Sequence, residues 1–186
     1  MFDFTPEIDE IVLPETKPET EWLAGRPVQK MSALYTHAAV QSRVVQLMAV
    51  WAESRGRVGT EWRFRMKPPG EVRRPIVPDV SYVSFARLPR DAYDAADGPV
   101  IPPDAAFEVL SKVSRPALVR AKIDVLLRCG TALVVILQPR DWSVTLHDGG
   151  TPVVLHGDDT FAHPALPGFT TTARAFFAGL PIPPPR

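Results

Sequence analysis

AAFEVLSKVSRPALVRAKIDVLLRCGTALVVIL, residues 105–137, is the stretch that decides the fold. Ala105–Leu110 reads as a short apolar strand interrupted by one carboxylate, Glu108. Ser114 and Pro116 then open a helix, with serine as the cap and proline in the first turn, where a missing N–H costs nothing. Leu118, Val119, Ile123 and Leu126 form its inward stripe, and Gly130 after Cys129 supplies the stop. Ala132–Leu137 is a β-branched apolar run, the pattern of a central strand covered on both faces. Strand, helix and buried strand in succession call for a layered domain with a sheet at its centre.

The flanks agree. Upstream, Val40, Val44, Leu47, Met48 and Trp51 repeat at helical period within Ser32–Ser54, and Gly56 ends that helix. Glu61–Met66 alternates, with Trp62, Phe64 and Met66 on the core side, as a half-buried strand does. Lys67–Pro78 holds four prolines and reads as a loop; Asp79–Phe85 follows as a strand, and Leu88–Pro103 as a polar connection. Pro27–Met31 is a short extended piece. Downstream, Trp142–His147 and Pro152–His156 flank Asp148-Gly149-Gly150, a hairpin signal, and Thr172–Phe177 is a last short helix. The predicted organisation is an N-terminal arm (1–20), one α/β domain (21–178) and a proline-rich tail (179–186).

Composition bounds the function. The chain has 186 residues, 45% hydrophobic and 23% charged, which supports a real core and excludes wholesale disorder. With 21 prolines, a bundle of long helices is excluded. The longest apolar runs are six residues, whereas a membrane span needs roughly 20. The acidic start, Met-Phe-Asp-Phe-Thr-Pro-Glu, is unlike a secretory signal, and the single Cys129 excludes a disulfide framework. A cytoplasmic protein is expected. Lys plus Arg equals Asp plus Glu, at 21 each, which argues against strong nonspecific binding of nucleic acid. The charge is unevenly spread. Seven acids against Lys17 fall in residues 1–21, and seven bases against Glu61 and Glu71 in residues 55–74. Charge runs are usually solvated faces; the sharper reading of the second is a basic flank beside a phosphodiester site.

Two carboxylates stand out. Asp79 begins a strand after Pro78, and Glu108 interrupts an apolar strand, where an unpaired carboxylate costs several kcal/mol. Lys122 lies within the apolar stripe of the next helix, between Leu118 and Leu126 at four-residue spacing, so it is the natural partner. Asp, Glu and Lys converging at a sheet edge could hold Mg²⁺ or Mn²⁺ on the carboxylates, with the lysine orienting a water or offsetting charge. The bland alternative is a buried Glu–Lys pair with Asp79 as a turn residue. His37 reads as a capping or surface histidine, and Gln41, one turn on, could share its cleft. Trp62 and Phe64 are core residues by alternation rather than base-stacking groups, and no pair of histidines has zinc spacing.

At these residues the chain resembles a known family. Glu-Trp-Leu-Ala-Gly-Arg (21–26), Met31-Ser32, His37, Val77-Pro78-Asp79-Val80, Phe107-Glu108-Val109-Leu110-Ser111, Lys122, Gly130 and Leu166-Pro167-Gly168-Phe169 occur in the order seen in the Uma2 family. That family belongs to the PD-(D/E)xK nuclease superfamily. The resemblance implies a restriction-endonuclease-like core, a mixed central sheet flanked by helices, with extra hairpin strands. It implies that Asp79, Glu108 and the main-chain carbonyl of Val109 are metal ligands. It also implies that the lysine has moved from the plain motif's position, here Leu110, to Lys122, and that Glu21 is an accessory acidic residue near the site. The chain departs from the family at Lys112, Leu126 and Ala132–Val135. The function expected is Mg²⁺-dependent hydrolysis of DNA phosphodiester bonds by a homodimer. The alternatives are a non-catalytic nucleic-acid or protein-binding module on the same fold, or a hydrolase of small phosphoesters.

Overall fold

The computed structural model describes residues 9–30 and 32–181. The first eight residues of the expected arm, Met31 of the Met31-Ser32 motif and residues 182–186 of the expected tail lie outside them. In chain order the elements are β1 (Thr20–Leu23), β2 (Arg26–Gln29), α1 (Tyr35–Ala52), β3 (Gly56–Thr60), β4 (Phe64–Met66), β5 (Arg74–Ile76) and β6 (Val80–Ser84). There follow α2 (Tyr93–Asp97), β7 (Ala105–Val109), α3 (Pro116–Arg128), β8 (Leu133–Gln138), β9 (Ser143–His147), β10 (Val153–His156), β11 (Thr160–Ala162), β12 (Thr170–Thr172) and a 3₁₀ turn, Ala173–Phe177.

Six strands form a mixed sheet in the order β10-β9-β8-β7-β6-β3. Its one parallel pair is β7 with β8, joined by α3 in the crossover that parallel strands require. The stretch 105–137 is thus the centre of the molecule. Glu108 lies opposite Ile136 in that pair. Residue alternation sends Ala105, Phe107 and Val109 to one face, where they pack on Val40, Val44 and Met48 of α1 and on Phe161, Phe176 and Phe177. It sends Ala106 to the other face, with Val134, Ile136 and Leu126 of α3 and with Phe64, Met66 and Ile76. Burying each such side chain stabilises the fold by roughly 1.5–3 kcal/mol. A helix layer therefore covers both faces, and Glu108 points to the α3 side.

The α/β class, the central sheet and both long helices match the sequence reading. The differences are local and have physical reasons. The helix at Ser32–Ser54 is shorter, at Tyr35–Ala52. Gly56 is the first residue of a strand, not a stop: an added Cβ there would sit 2.3 Å from the Val83 carbonyl oxygen, so only glycine lets β3 lie against β6. The alternating strand at Glu61–Met66 contracts to Phe64–Met66, because Glu61 has φ 49° and turns the chain. The proline-bearing loop contains β5, which pairs with β4. The cap of α3 is Arg115, with no side-chain hydrogen bond; Ser114 instead accepts from the Ser111 N–H at 2.8 Å. Gly130, at φ 97°, occupies the left-handed position after α3 as expected.

The two charge runs meet each other. Arg65 pairs with Glu10, Arg63 with Glu19, and Ile11 donates to the Arg73 carbonyl at 2.8 Å. Glu71 pairs with Arg74 and Arg128. The acidic and basic segments therefore meet in two ion pairs, where two separate solvated faces were expected.

Candidate active site

The site collects on the α3 side of the sheet, where β6, β7, the hairpin β1–β2 and the start of α1 come together. Lys122 arrives from the middle of α3 and is buried. Its Nζ lies 2.9 Å from Glu108 Oε1 and 3.1 Å from Glu21 Oε2, and it donates to the Val77 carbonyl at 2.8 Å. Glu21, on β1, also accepts the Val77 N–H at 3.0 Å. The spacing argument therefore succeeds: a helix lysine fourteen positions on returns to the strand carboxylate.

Asp79 is 3% exposed and fully engaged. Its Oδ2 accepts the Val109 N–H at 2.8 Å and lies 3.0 Å from His37 Nε2, while its Oδ1 lies 2.6 Å from Lys30 Nζ. Lys30 also contacts Glu61 Oε2 at 2.7 Å and donates to the Val77 carbonyl at 3.1 Å. Gln41 donates to both Glu61 Oε1 and the Asp79 carbonyl, each at 2.8 Å. His37 is thus not a cap or surface residue; it sits against Asp79, and Gln41 braces the same strand. Lys30 and Glu61 escaped the sequence reading. The available signal for Lys30 was its two-residue spacing from Val28, which places both on one side of an extended chain. For Val109, the contact with Asp79 is made by its N–H.

Glu21, Lys30, His37, Asp79, Glu108 and Lys122 form the floor of a cavity of about 720 Å³. Its walls are largely aliphatic, including Leu23, Val28, Leu110 and Leu118, with Arg26 and Arg115 toward solvent.

Electrostatics follow from the inventory. Three carboxyls (Glu21, Asp79, Glu108) share the floor with two ammonium groups, Lys30 and Lys122, and a fourth, Glu61, contacts Lys30 from outside the lining. Burial works to raise Asp79, but Lys30, His37 and Lys122 overcome it and hold the group well below the usual carboxylate range. Burial resists charging Lys122 as well, yet Glu108, Glu21 and Asp79 hold it above its ordinary value. Lys30 rises too: Asp79, Glu108 and Glu61 outweigh desolvation and Lys122. The surplus negative charge falls on Glu108. Desolvation, aided by Asp79 and Glu21 against Lys122 and Lys30, pushes it up to about 8.

Among the described residues no group of three or more His, Cys, Asp and Glu side chains is arranged to hold a metal ion. The donor set suits a smaller demand. Mg²⁺ keeps several waters and is commonly bound through one or two carboxylates. The floor supplies hard oxygens, and with Glu21, Asp79 and Glu108 ionised against Lys30 and Lys122 it carries one more negative than positive charge, which favours a cation.

A sequence profile for Uma2, described as "Putative restriction endonuclease", matches residues 7–174. The chain belongs to the Uma2 family. No curated protein matches it significantly. Among solved structures, this Uma2 chain is similar to one described as a "putative nuclease belonging to DUF820" from Anabaena variabilis. The TM-score is 0.77 at 25% identity, over 89% of this chain and 93% of that one. The restriction-endonuclease-like fold expected from the sequence is therefore the fold of the molecule. No helix among the described residues is long and apolar enough to cross a membrane.

Proposed function

We propose that this Uma2 protein is a metal-dependent nuclease that hydrolyses phosphodiester bonds at the cavity floor, with Mg²⁺ or Mn²⁺ as cofactor and DNA as substrate. The observation that carries the reading is the meeting of Lys122 Nζ with Glu108 at 2.9 Å, beside Asp79 and Glu21, in one cavity. Asp79, Glu108 and the carbonyl of Val109 would hold the cation, with Glu21 as an accessory acid. When bound, the cation supplies an acidified water and a counter-charge for a phosphoryl oxygen.

The chain's own residues have separable tasks. Lys122, anchored by the Val77 carbonyl, keeps a fixed positive charge where negative charge develops on phosphate. His37 and the Val109 N–H orient Asp79, and Gln41 fixes the main chain on which Asp79 stands. The aliphatic walls limit water around the reacting bond. Cleavage of both strands of a duplex takes two such sites, the reason a homodimer is expected; light scattering of the purified protein tests it.

The test is cutting of single-stranded circular DNA and of plasmid DNA in Mg²⁺ or Mn²⁺ by wild type and by Asp79→Asn, Glu108→Gln and Lys122→Ala, scored on the circle that wild type cuts faster. Wild type cuts, and each variant loses at least about 100-fold, the usual weight of a group acting on the reacting atoms. Calorimetric titration with Mn²⁺ gives a second readout: binding weakens in Asp79→Asn and Glu108→Gln. Equal cutting by all four proteins would falsify the assignment.

A further inference from the structure

The groups at the cavity floor are buried, and this bears on what can reach the site. We infer that the cavity takes a single nucleic-acid strand, with Arg26 and Arg115 gripping the phosphates on either side of the one to be cleaved; the inference rests on the nuclease reading above.

Three observations carry it. First, the groups that would act are buried: Glu21 is 4% exposed, Asp79 3% and Lys122 5%. They lie beneath the β1–β2 hairpin, in a cavity of about 720 Å³, the size range of clefts that enclose small ligands. A duplex lying across the mouth keeps its backbone outside such a cavity. An unpaired strand can send one phosphate down and lay its base against Leu23, Val28 and Leu118. Enzymes that must reach into nucleic acid at close quarters use single strands or extrude a nucleotide for the same reason.

Second, part of the basic run is taken up in ion pairs, which weakens its pull on a duplex, whose affinity comes from phosphate neutralisation. Arg63 pairs with Glu19, Arg65 with Glu10 and Arg74 with Glu71, which also holds Arg128, and Arg57 is turned onto the carbonyls of Leu88, Pro89 and Arg90. Third, the two arginines that line this cavity are exposed and have no ion pair among the described residues. Arg26 opens β2 on the hairpin and Arg115 caps α3, so they reach the cavity from different elements. A guanidinium on each side suits successive phosphates of one strand.

The experiment is fluorescence anisotropy in EDTA, so that no strand is cut. The probes are a labelled 12-nucleotide single strand and a dumbbell duplex of the same sequence with closed ends. Wild type is expected to bind the single strand at least about tenfold tighter. Arg26→Ala/Arg115→Ala is expected to lose that preference. Its plot of log affinity against log salt should flatten by about 1.4, the value for two lost phosphate contacts on a single strand. Both arginines are exposed, so the melting temperature stays at the wild-type value and serves as the folding check. Equal affinity for the two probes, or an unchanged salt slope in the double variant, overturns the inference. In Mn²⁺, cutting of the dumbbell as fast as the single strand overturns it while sparing the nuclease reading. Failure to bind or cut either probe removes both.

Discussion

Lys122 is the residue on which the site turns. It holds two buried carboxyls at once, so its loss leaves both uncompensated. Breaking a buried ion pair from one side typically costs 3–5 kcal/mol. Lys122→Ala is expected to lower stability by about that amount in urea denaturation. Lys122→Met with Glu108→Gln should recover the part of it due to Glu108, Glu21 still lacking its cation, since the penalty lies in the stranded charge rather than in lost contact. A double variant as unstable as Lys122→Ala would place the penalty elsewhere. Lys122 and Glu108 were legible because each breaks an apolar pattern on its element. Glu61 was not, because the sequence reads it as the polar side of an alternating strand, whereas its φ of 49° turns it toward Lys30 and Gln41. His37 was only half legible: a four-residue spacing puts it on one face with Gln41, but a helix face does not reveal which strand end it meets.

Elements with strong period or sharp punctuation were readable, and short or glycine-bearing ones were not. The strand–helix–strand unit of β7, α3 and β8 carries apolar runs, a proline start and a glycine stop, so local and tertiary preferences agree. β3 contains Gly56 and Gly59 and lacks a run of β formers; β5 has proline at its centre; β11 and β12 span three residues each. Such strands form because neighbours already in place accept them. Gly56 is the clearest case. Gly56→Ala forces a methyl group to within 2.3 Å of the Val83 carbonyl oxygen and 2.5 Å of the Tyr82 ring. Over-packing of this kind costs about 1–3 kcal/mol or more. A loss in that range is expected in the same denaturation assay, with β3 amides exchanging faster. Wild-type stability in Gly56→Ala would mean that β3 shifts at no cost.

For the whole molecule, net neutrality conceals a specific pairing of unlike runs. Glu10→Gln with Glu19→Gln releases Arg65 and Arg63 and leaves two extra positive charges. Nonspecific affinity for duplex DNA should rise, and its salt slope should steepen by up to about 1.8. An unchanged slope would show that the freed arginines find other acids. The pH dependence of stability has two limbs of opposite sign. Arg65 holds Glu10 below its ordinary 4.5, and Arg128 with Arg74 does the same for Glu71. Those contributions are present above pH 4.5 and are lost as the pH falls through the folded-state values. Glu108 behaves in reverse. Raised to about 8 in the fold against 4.5 ordinarily, it binds its proton more tightly when folded, so stability declines as the pH climbs through that interval. The metal-free protein is therefore expected to be most stable near about pH 5. Glu108→Gln should flatten the alkaline limb in denaturation curves; a limb that persists assigns it to another group.

The hairpin β1–β2 delivers Glu21 from one strand and Lys30 from just beyond the other. Any outward swing of this flap withdraws an anion together with a cation. The net charge left at the cavity floor is then the same with the hairpin seated or displaced, so its displacement is not opposed by an unbalanced field.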